Sequence, residues 1–461
     1  MKRLFNWLNK TRAFRDLTAQ EFAWVLYDVG NSAYTMLACS LIPIWFKAIA
    51  VKEVTEGVAA EGFLTEVDAT GKYSLVLSIV TVIIALIGPI LGSLADRKET
   101  KKFFFATTVA IGVIGCVLNS VAWSWILFLI IYVITKVSYQ ASLTFYDSML
   151  NDVTTEERMD RVSSYGYAWG YIGSCIPFLV ALAAYVFSGG MFDVLPPVVG
   201  RIIGFGITAV WWLLVTLPLI KNYKQRNYVE TTHTSIGGVF RKIINTFKDI
   251  VNRDKKVLFF LIAFFLYIDG VGTIIDNCIN IGTPMIQEDP SLEKYVDVFL
   301  VLFLLATQVV AFAGSLVFAA LSKKFKTIPL ILVCIAGYFA VCLYALRLDK
   351  LYQFAILAFG VGCFQGSIQS LSRSYYSKII PPENSGEYFG IYDIFAKGAS
   401  FLGSFVIWLV LKVAPKGVMF GSSHVRPYNI AIASLAVFFA LGFLFLVISS
   451  KQKSLNRASN E

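Results

Sequence analysis

Eight ionisable side chains stand inside long apolar runs: Asp28, Lys136, Asp147, Asp269, Asp276, Arg373, Asp393 and Lys397. A charge at the centre of a hydrocarbon layer costs about 2.5–3.5 kcal/mol on insertion scales, so each must meet water, a solute or a partner. Two chemistries suit such groups. Lys136 has no acid on the next turn and is the first candidate to bind the anionic group of a solute, such as a carboxylate. A carboxyl taken out of water can take up a proton at working pH, which makes Asp28 the first candidate for proton coupling and Asp269 the second. Plainer readings compete. Either Asp could pair with Lys136 or Lys397, and Asp393 and Lys397, four residues apart, could neutralise each other on one helix face. Asp147 and Arg373 fit a gate or a salt bridge.

Helical spacing gathers these groups. Asp269, Thr273, Asp276 and Asn280 share one face, as do Lys136, Gln140, Thr144 and Asp147, and Gln365, Gln369, Ser372 and Tyr376. A polar stripe on a membrane helix cannot face lipid, so these stripes predict a wet bundle interior. Gly270, Gly272, Gly282 and Pro284 predict a bent or broken helix there. Gly166, Gly170 and Gly173 have the spacing of close helix packing rather than of a ligand site. Other chemistries are excluded. His233 and His424 fall in loops, so no histidine relay crosses the membrane. No P-loop, zinc-protease or nucleophile-elbow motif occurs, which argues against an enzyme, a cofactor or ATP-driven transport. The seven cysteines lack metal or redox spacing and read as small buried hydrophobes.

The elements that must position these groups are membrane helices. The 461 residues are 57% hydrophobic and 15% charged, with mean hydropathy +0.68. A soluble protein carries roughly 25% charged residues. Twelve continuous apolar runs are each long enough to span a bilayer, and they do not alternate as a β-barrel would. The expected fold is all-α, with twelve transmembrane helices in two six-helix pseudo-repeats. Residues 1–21 form a cytoplasmic N-terminal segment, 22–220 the first half, 221–256 a cytoplasmic linker, 257–450 the second half and 451–461 a cytoplasmic tail. The net charge of +10 follows membrane orientation rather than nucleic acid: nine cations crowd residues 221–256 and four lie in 97–102, with few on the other side. Leu4, Phe5, Trp7 and Leu8 among cations fit a helix lying on the leaflet or a frayed basic tail. No cleavable signal peptide is evident. A short amphipathic helix along the membrane surface fits within the linker. The halves read as a diverged repeat, with Tyr139-Gln140-Ala141-Ser142 matched by Phe364-Gln365-Gly366-Ser367.

One charged corner joins the second and third runs: Gly92-Ser93-Leu94-Ala95-Asp96-Arg97, followed by Lys101-Lys102. It resembles the signature loop of the major facilitator superfamily, except that Glu99 stands where that pattern prefers Gly. The resemblance implies that Asp96 and Arg97 act in a latch, with the Asp meeting a helix N-terminus from the other half. It also implies a cavity lined by helices one, four, seven and ten with eleven beside them, the helices that carry the charges here. At the equivalent corner of the second half Lys323 replaces the Asp. Three blocks are similar to the vacuole-effluxer branch, the bacterial relatives of the fungal autophagy-related vacuolar amino-acid exporters. They are Trp24–Tyr34, Arg161–Gly173 and Gly366–Ser374. The implied function is secondary active export of an amino acid or related organic anion or zwitterion by alternating access, with proton coupling through Asp28 or Asp269. Lys136, Gln140, Asn31, Asp269, Asp276, Gln365, Gln369 and Lys397 are the expected solute-binding residues. Asp96, Arg97, Asp147, Arg373 and Asp393 are the expected gate. The expected partners are a small-molecule solute and membrane lipid, with no nucleic acid, in a monomer. A lipid flippase of the same fold and a non-transporting sensor are the rival readings.

Overall fold

The computed structural model describes residues 17–51, 54, 55, 58, 59, 62–190, 192, 194–230, 236–277, 296–398, 400–414, 418–420 and 423–452. Its helices are α1 (Ala19–Cys39), α2 (Leu41–Ala50), α3 (Glu66–Ala95), α4 (Thr100–Ser120), α5 (Trp125–Ser148), α6 (Leu150–Val153), α7 (Glu156–Tyr185), α8 (Pro197–Asn222), α9 (Ile236–Asn252), α10 (Lys255–Asp276), α11 (Val296–Leu321), α12 (Thr327–Tyr344), α13 (Leu351–Ile379), α14 (Ser385–Gly398), α15 (Ser400–Val413), α16 (Pro427–Ser434) and α17 (Ala436–Lys451). The described residues also form two small antiparallel strand pairs, Val54–Thr55 with Val58–Ala59 and Val418–Phe420 with Ser423–Val425.

Among the described residues, ten helical segments are long and apolar enough to cross a bilayer, and the bent pair α1–α2 makes an eleventh. The segments α14 and α15 flank residue 399, which lies outside the described residues; taken as one span they complete the expected order of twelve. The first span is built of two helices, α1 and α2, bent by 43°. The bend has a local cause. Pro43 has no N–H to offer the Cys39 carbonyl, and the Ser40 hydroxyl donates to Met36 O at 2.6 Å. Other helices begin earlier than hydropathy suggests, because caps rather than apolar runs set their starts. Thr65 accepts from the Asp68 N–H at 3.1 Å at the head of α3, and a capping box of Thr18 and Glu21 opens α1. The polar stretch 151–161 is mostly helical, in α6 and the first turns of α7.

The chain divides into two compact units. Unit 1 comprises Met1–Thr155, Trp169–Ser235 and Pro382–Ile391, and unit 2 comprises Glu156–Ala168, Ile236–Pro381 and Tyr392–Glu461. The first turns of α7 thus belong to unit 2, and the first turns of α14 to unit 1. Aromatic stacking fills both interiors, with Trp24 on Tyr146 at 4.3 Å in unit 1 and Phe264 on Tyr392 at 4.1 Å in unit 2. Large aliphatic side chains such as Leu75, Val82, Leu86, Ile114 and Ile130 point outward instead, as lipid contact requires. One buried bond recurs. Tyr27 pairs with Ser142 and Tyr267 with Ser372, both at 2.6 Å. The Tyr–Ser bond at Ser142 in unit 1 thus has a like bond at Ser372 in unit 2.

Candidate functional site

In unit 1 the predicted solute residues meet on α1 and α5. Asn31 donates to Asp28 Oδ1 at 3.1 Å and to the Tyr27 carbonyl at 3.2 Å, and both side chains are buried. One turn on, Thr35 Oγ1 donates to the Asn31 carbonyl at 3.3 Å and pairs with the Tyr139 hydroxyl at 2.5 Å. Lys136 is half-buried, and its ammonium lies 5.2 Å from the centre of the Tyr139 ring and 5.7 Å from that of Tyr34. The faces of electron-rich rings attract a cation placed over them. Gln140 and Asp147 follow on the same helix, both half-buried. Behind this group Gly170 and Gly173 pack α7 onto α1: a methyl on either would strike Ser32 and the Asp28 backbone, or Val29. The packing reading of that glycine spacing is the structural one.

In unit 2 the arrangement is sparser. Asp269 is buried, and neither carboxylate oxygen makes a hydrogen bond; the Gly403 N–H faces it outside full hydrogen-bond geometry. Thr273, one turn further, presses on Gly403 and its hydroxyl is likewise unpartnered. Buried polar groups normally find a partner. Gln365 and Gln369 lie half-buried on α13, where the Gln369 amide donates to the Gln365 carbonyl at 3.3 Å, and Asp393 is buried on α14. Asp276 departs from the expected buried stripe. It is the last residue of α10 and is exposed. Asn280, Gly282 and Pro284 lie outside the described residues, as does the side chain of Lys397.

The corner is the most ordered polar site. The Asp96 oxygens accept the N–H groups of Gly386 at 2.7 Å and Glu387 at 2.9 Å, in the first turn of α14. These are orphan donors at the positive end of a helix dipole. The helices touch through glycine: a Cβ on Gly92 would fall on the Gly386 carbonyl, and one on Gly390 on the Pro89 backbone. Lys101, fully buried, stands 3.6 Å from both Asp96 and Asp152 and donates to Ser385 at 2.8 Å. Asp152 in turn accepts from Tyr223 at 2.5 Å and from the backbone N–H groups of Arg226 and Asn227 at 3.1 and 2.8 Å. Burial, then the Asp152 charge, holds the Tyr223 phenol well above its usual range, so it stays a donor. Arg97, expected in the latch, is half-buried, and its backbone bridges to Val229; the cation at Asp96 is Lys101.

Unit 2 has its own clamp. Asp160 on α7 accepts from Ser374 at 2.5 Å and Thr327 at 2.7 Å and pairs with Lys378 at 2.7 Å. Arg373 donates to the Ser163 hydroxyl at 2.9 Å and carbonyl at 3.1 Å, and its guanidinium lies 4.5 Å from the centre of the Tyr167 ring. Sequence reasoning missed Lys101, Asp152 and Asp160. Each lies at the end of an apolar run, where a charge looks solvated. The available signal was charge pairing: Asp152 and Asp160 are acids beside polar loops that also hold Asn and Ser.

The comparisons identify the family and the fold. The family model for vacuole effluxers like Atg22 matches residues 18–459. An uncharacterised MFS-type transporter of Bacillus subtilis (strain 168), YxiO, is 34% identical over 443 residues, 95% of this chain and 96% of that one. Autophagy-related protein 22-1 of Neosartorya fischeri is 23% identical over 312 residues, 62% of this chain and 48% of its own length, so this chain spans about half the length of that fungal relative. Among solved structures, the major facilitator transporter FucP in its outward conformation superimposes with TM-score 0.67 at 15% identity, covering 94% of this chain and 99% of that one. The proton:xylose symporter XylE gives 0.66 at 14%, covering 93% and 94%. At such identities the likeness shows the fold. The chain is a multi-pass membrane transporter of the major facilitator fold, and it belongs to the Atg22-like vacuole-effluxer family.

Proposed function

We propose that this transporter is a secondary active exporter of a small zwitterionic or anionic solute, such as an amino acid, and works by alternating access across the cytoplasmic membrane. Both termini and the 221–256 linker are cytoplasmic in this reading, and the halves are 22–220 and 257–450. The observation that carries it is Lys136, a half-buried cation facing the rings of Tyr34 and Tyr139 on the same helix as Gln140. Asn31 and Gln140 complete the solute contacts in unit 1. Asp269, Gln365, Gln369, Asp276 and Lys397 are assigned to the solute in unit 2. Asp28 and Asp269 are the proton carriers, and the unpartnered burial of Asp269 favours it. The Asp96 and Asp160 clamps, with Arg97, Arg373, Asp147 and Asp393, close in one state and release in the other. The family's description as effluxers supports export.

The test begins with a thermal-shift screen of the purified protein against amino acids and organic anions, followed by flux of the hits in proteoliposomes. Lys136→Ala is expected to lower flux at sub-saturating solute by about tenfold to a hundredfold, the worth of one charge-assisted hydrogen bond, and Lys136→Arg to retain part of it. Unchanged flux in Lys136→Ala removes the assignment. Asp269→Asn should uncouple flux from an imposed pH gradient; if the gradient still drives it, Asp28→Asn decides between the two acids.

A further inference from the structure

Helix α9 presents an apolar stripe to the outside. Phe240, Ile244 and Phe247 fall at i, i+4 and i+7 and are 49%, 53% and 45% exposed. Val239 and Ile250 turn inward on another face and are buried. Beside the stripe stand Arg241 and Lys248, seven residues apart and both exposed. At 3.6 residues per turn they lie within about 100° of its centre. The acid of this helix, Asp249, lies away from the stripe and is 3.6 Å from Arg253. The level of α9 is also fixed. Only Arg253 and Asp254 separate it from α10, a membrane span, and Asp254 caps that span by accepting the Val257 N–H at 3.2 Å. The C-terminal end of α9 is thus within about 7–10 Å of chain from the first turn of a span. An exposed stripe of two phenylalanines and an isoleucine at that level faces the boundary between headgroups and acyl chains, and the flanking cations complement phosphate.

We propose that α9 docks on anionic phospholipid in the leaflet where α10 begins. Phe240, Ile244 and Phe247 sink among the acyl chains, and Arg241 and Lys248 rest on the phosphates. This holds whatever solute the protein carries. The test uses the full chain in nanodiscs of phosphatidylcholine alone or with phosphatidylglycerol. Ile244→Cys is labelled with a water-soluble maleimide, and the modified peptide is quantified by mass so that the native cysteines do not interfere. Labelling is expected to be about tenfold slower in the phosphatidylglycerol discs, with the difference shrinking as salt is raised. Adding R241Q and K248Q should erase the lipid dependence. Both positions are exposed, so the fold survives their loss. Equal labelling in the two lipids, with no response to R241Q/K248Q, overturns the proposal. Slowing that follows protein concentration rather than lipid assigns the stripe to a second copy of the chain and overturns it as well.

Discussion

Two buried carboxylates, Asp96 in unit 1 and Asp160 in unit 2, each tie the start of a helix to its surroundings with opposite chemistry. Asp96 stands in the corner and receives α14 through backbone N–H groups, which demands that Gly92 and Gly386 let the chains touch. Asp160 rides on the helix it secures, α7, and is received by side chains: two hydroxyls and Lys378. The charge balance differs too. Lys101 is fully buried and shared between two carboxylates, whereas Lys378 keeps 15% of its side chain in contact with solvent. A corner that has Lys323 in place of the Asp is therefore not without a clamp; the acid has moved from the corner to the helix. The backbone clamp is intolerant of volume and charge change. The side-chain clamp is looser and easier to alter.

The largest test of that contrast is Lys101→Met. It leaves Asp96 and Asp152 buried without their cation, at a cost of about 3–5 kcal/mol. The native thiols report where the damage falls: Cys116 is buried in unit 1, and Cys334 and Cys342 in unit 2. In thermal unfolding followed by a thiol-reactive dye with peptide mapping, Cys116 should label first. Labelling of all three together would mean that the clamps melt as one and the contrast has no energetic content. Next is Gly92→Ala, whose methyl meets the Gly386 carbonyl rather than a movable side chain; an overpacked contact costs about 1–3 kcal/mol, again felt first at Cys116. Asp160→Asn should cost less, about 1–2 kcal/mol, since the amide keeps an acceptor for Ser374 or Thr327 while losing the charge opposite Lys378. Here Cys334 and Cys342 should label first. Combining it with Lys378→Met should cost less than the two changes summed, because each removes the same ion pair.

Much of the fold was legible, because hydrocarbon tolerates so few patterns: the runs, the corner and the small-residue crossings at Gly170 and Gly173 all follow from it. The polar faces of α5 and α13, and the Asp269 and Thr273 part of α10, were legible for the same reason. What escaped was set at the ends of helices. There a capping Thr65, a missing N–H at Pro43 or a paired Asp160 decides the path, and hydropathy averages over all of them. Lys101 shows the limit most clearly. It reads as one cation of a basic corner, yet it is buried, because two acids 51 and five residues away in sequence, Asp152 and Asp96, converge on it. The partner is three-dimensional information.

The smallest effect concerns the one departure from the corner pattern. Glu99 heads α4 with φ 63° and ψ 4°, the left-handed region, and no other non-glycine residue among those described has positive φ. A side chain there costs about 1 kcal/mol or more relative to glycine. Its neighbours hold the backbone in that shape: the Thr100 hydroxyl donates to the Leu94 carbonyl at 3.0 Å and the Arg97 carbonyl at 2.8 Å, and the turn carries Asp96 to α14. Glu99→Gly should therefore stabilise unit 1, raising the midpoint of Cys116 labelling by about 1–2 °C and leaving Cys334 and Cys342 unmoved. A fall instead would show that the glutamate side chain, rather than the turn geometry, supports the corner. The backbone clamp would then depend on a side chain as the clamp of unit 2 does.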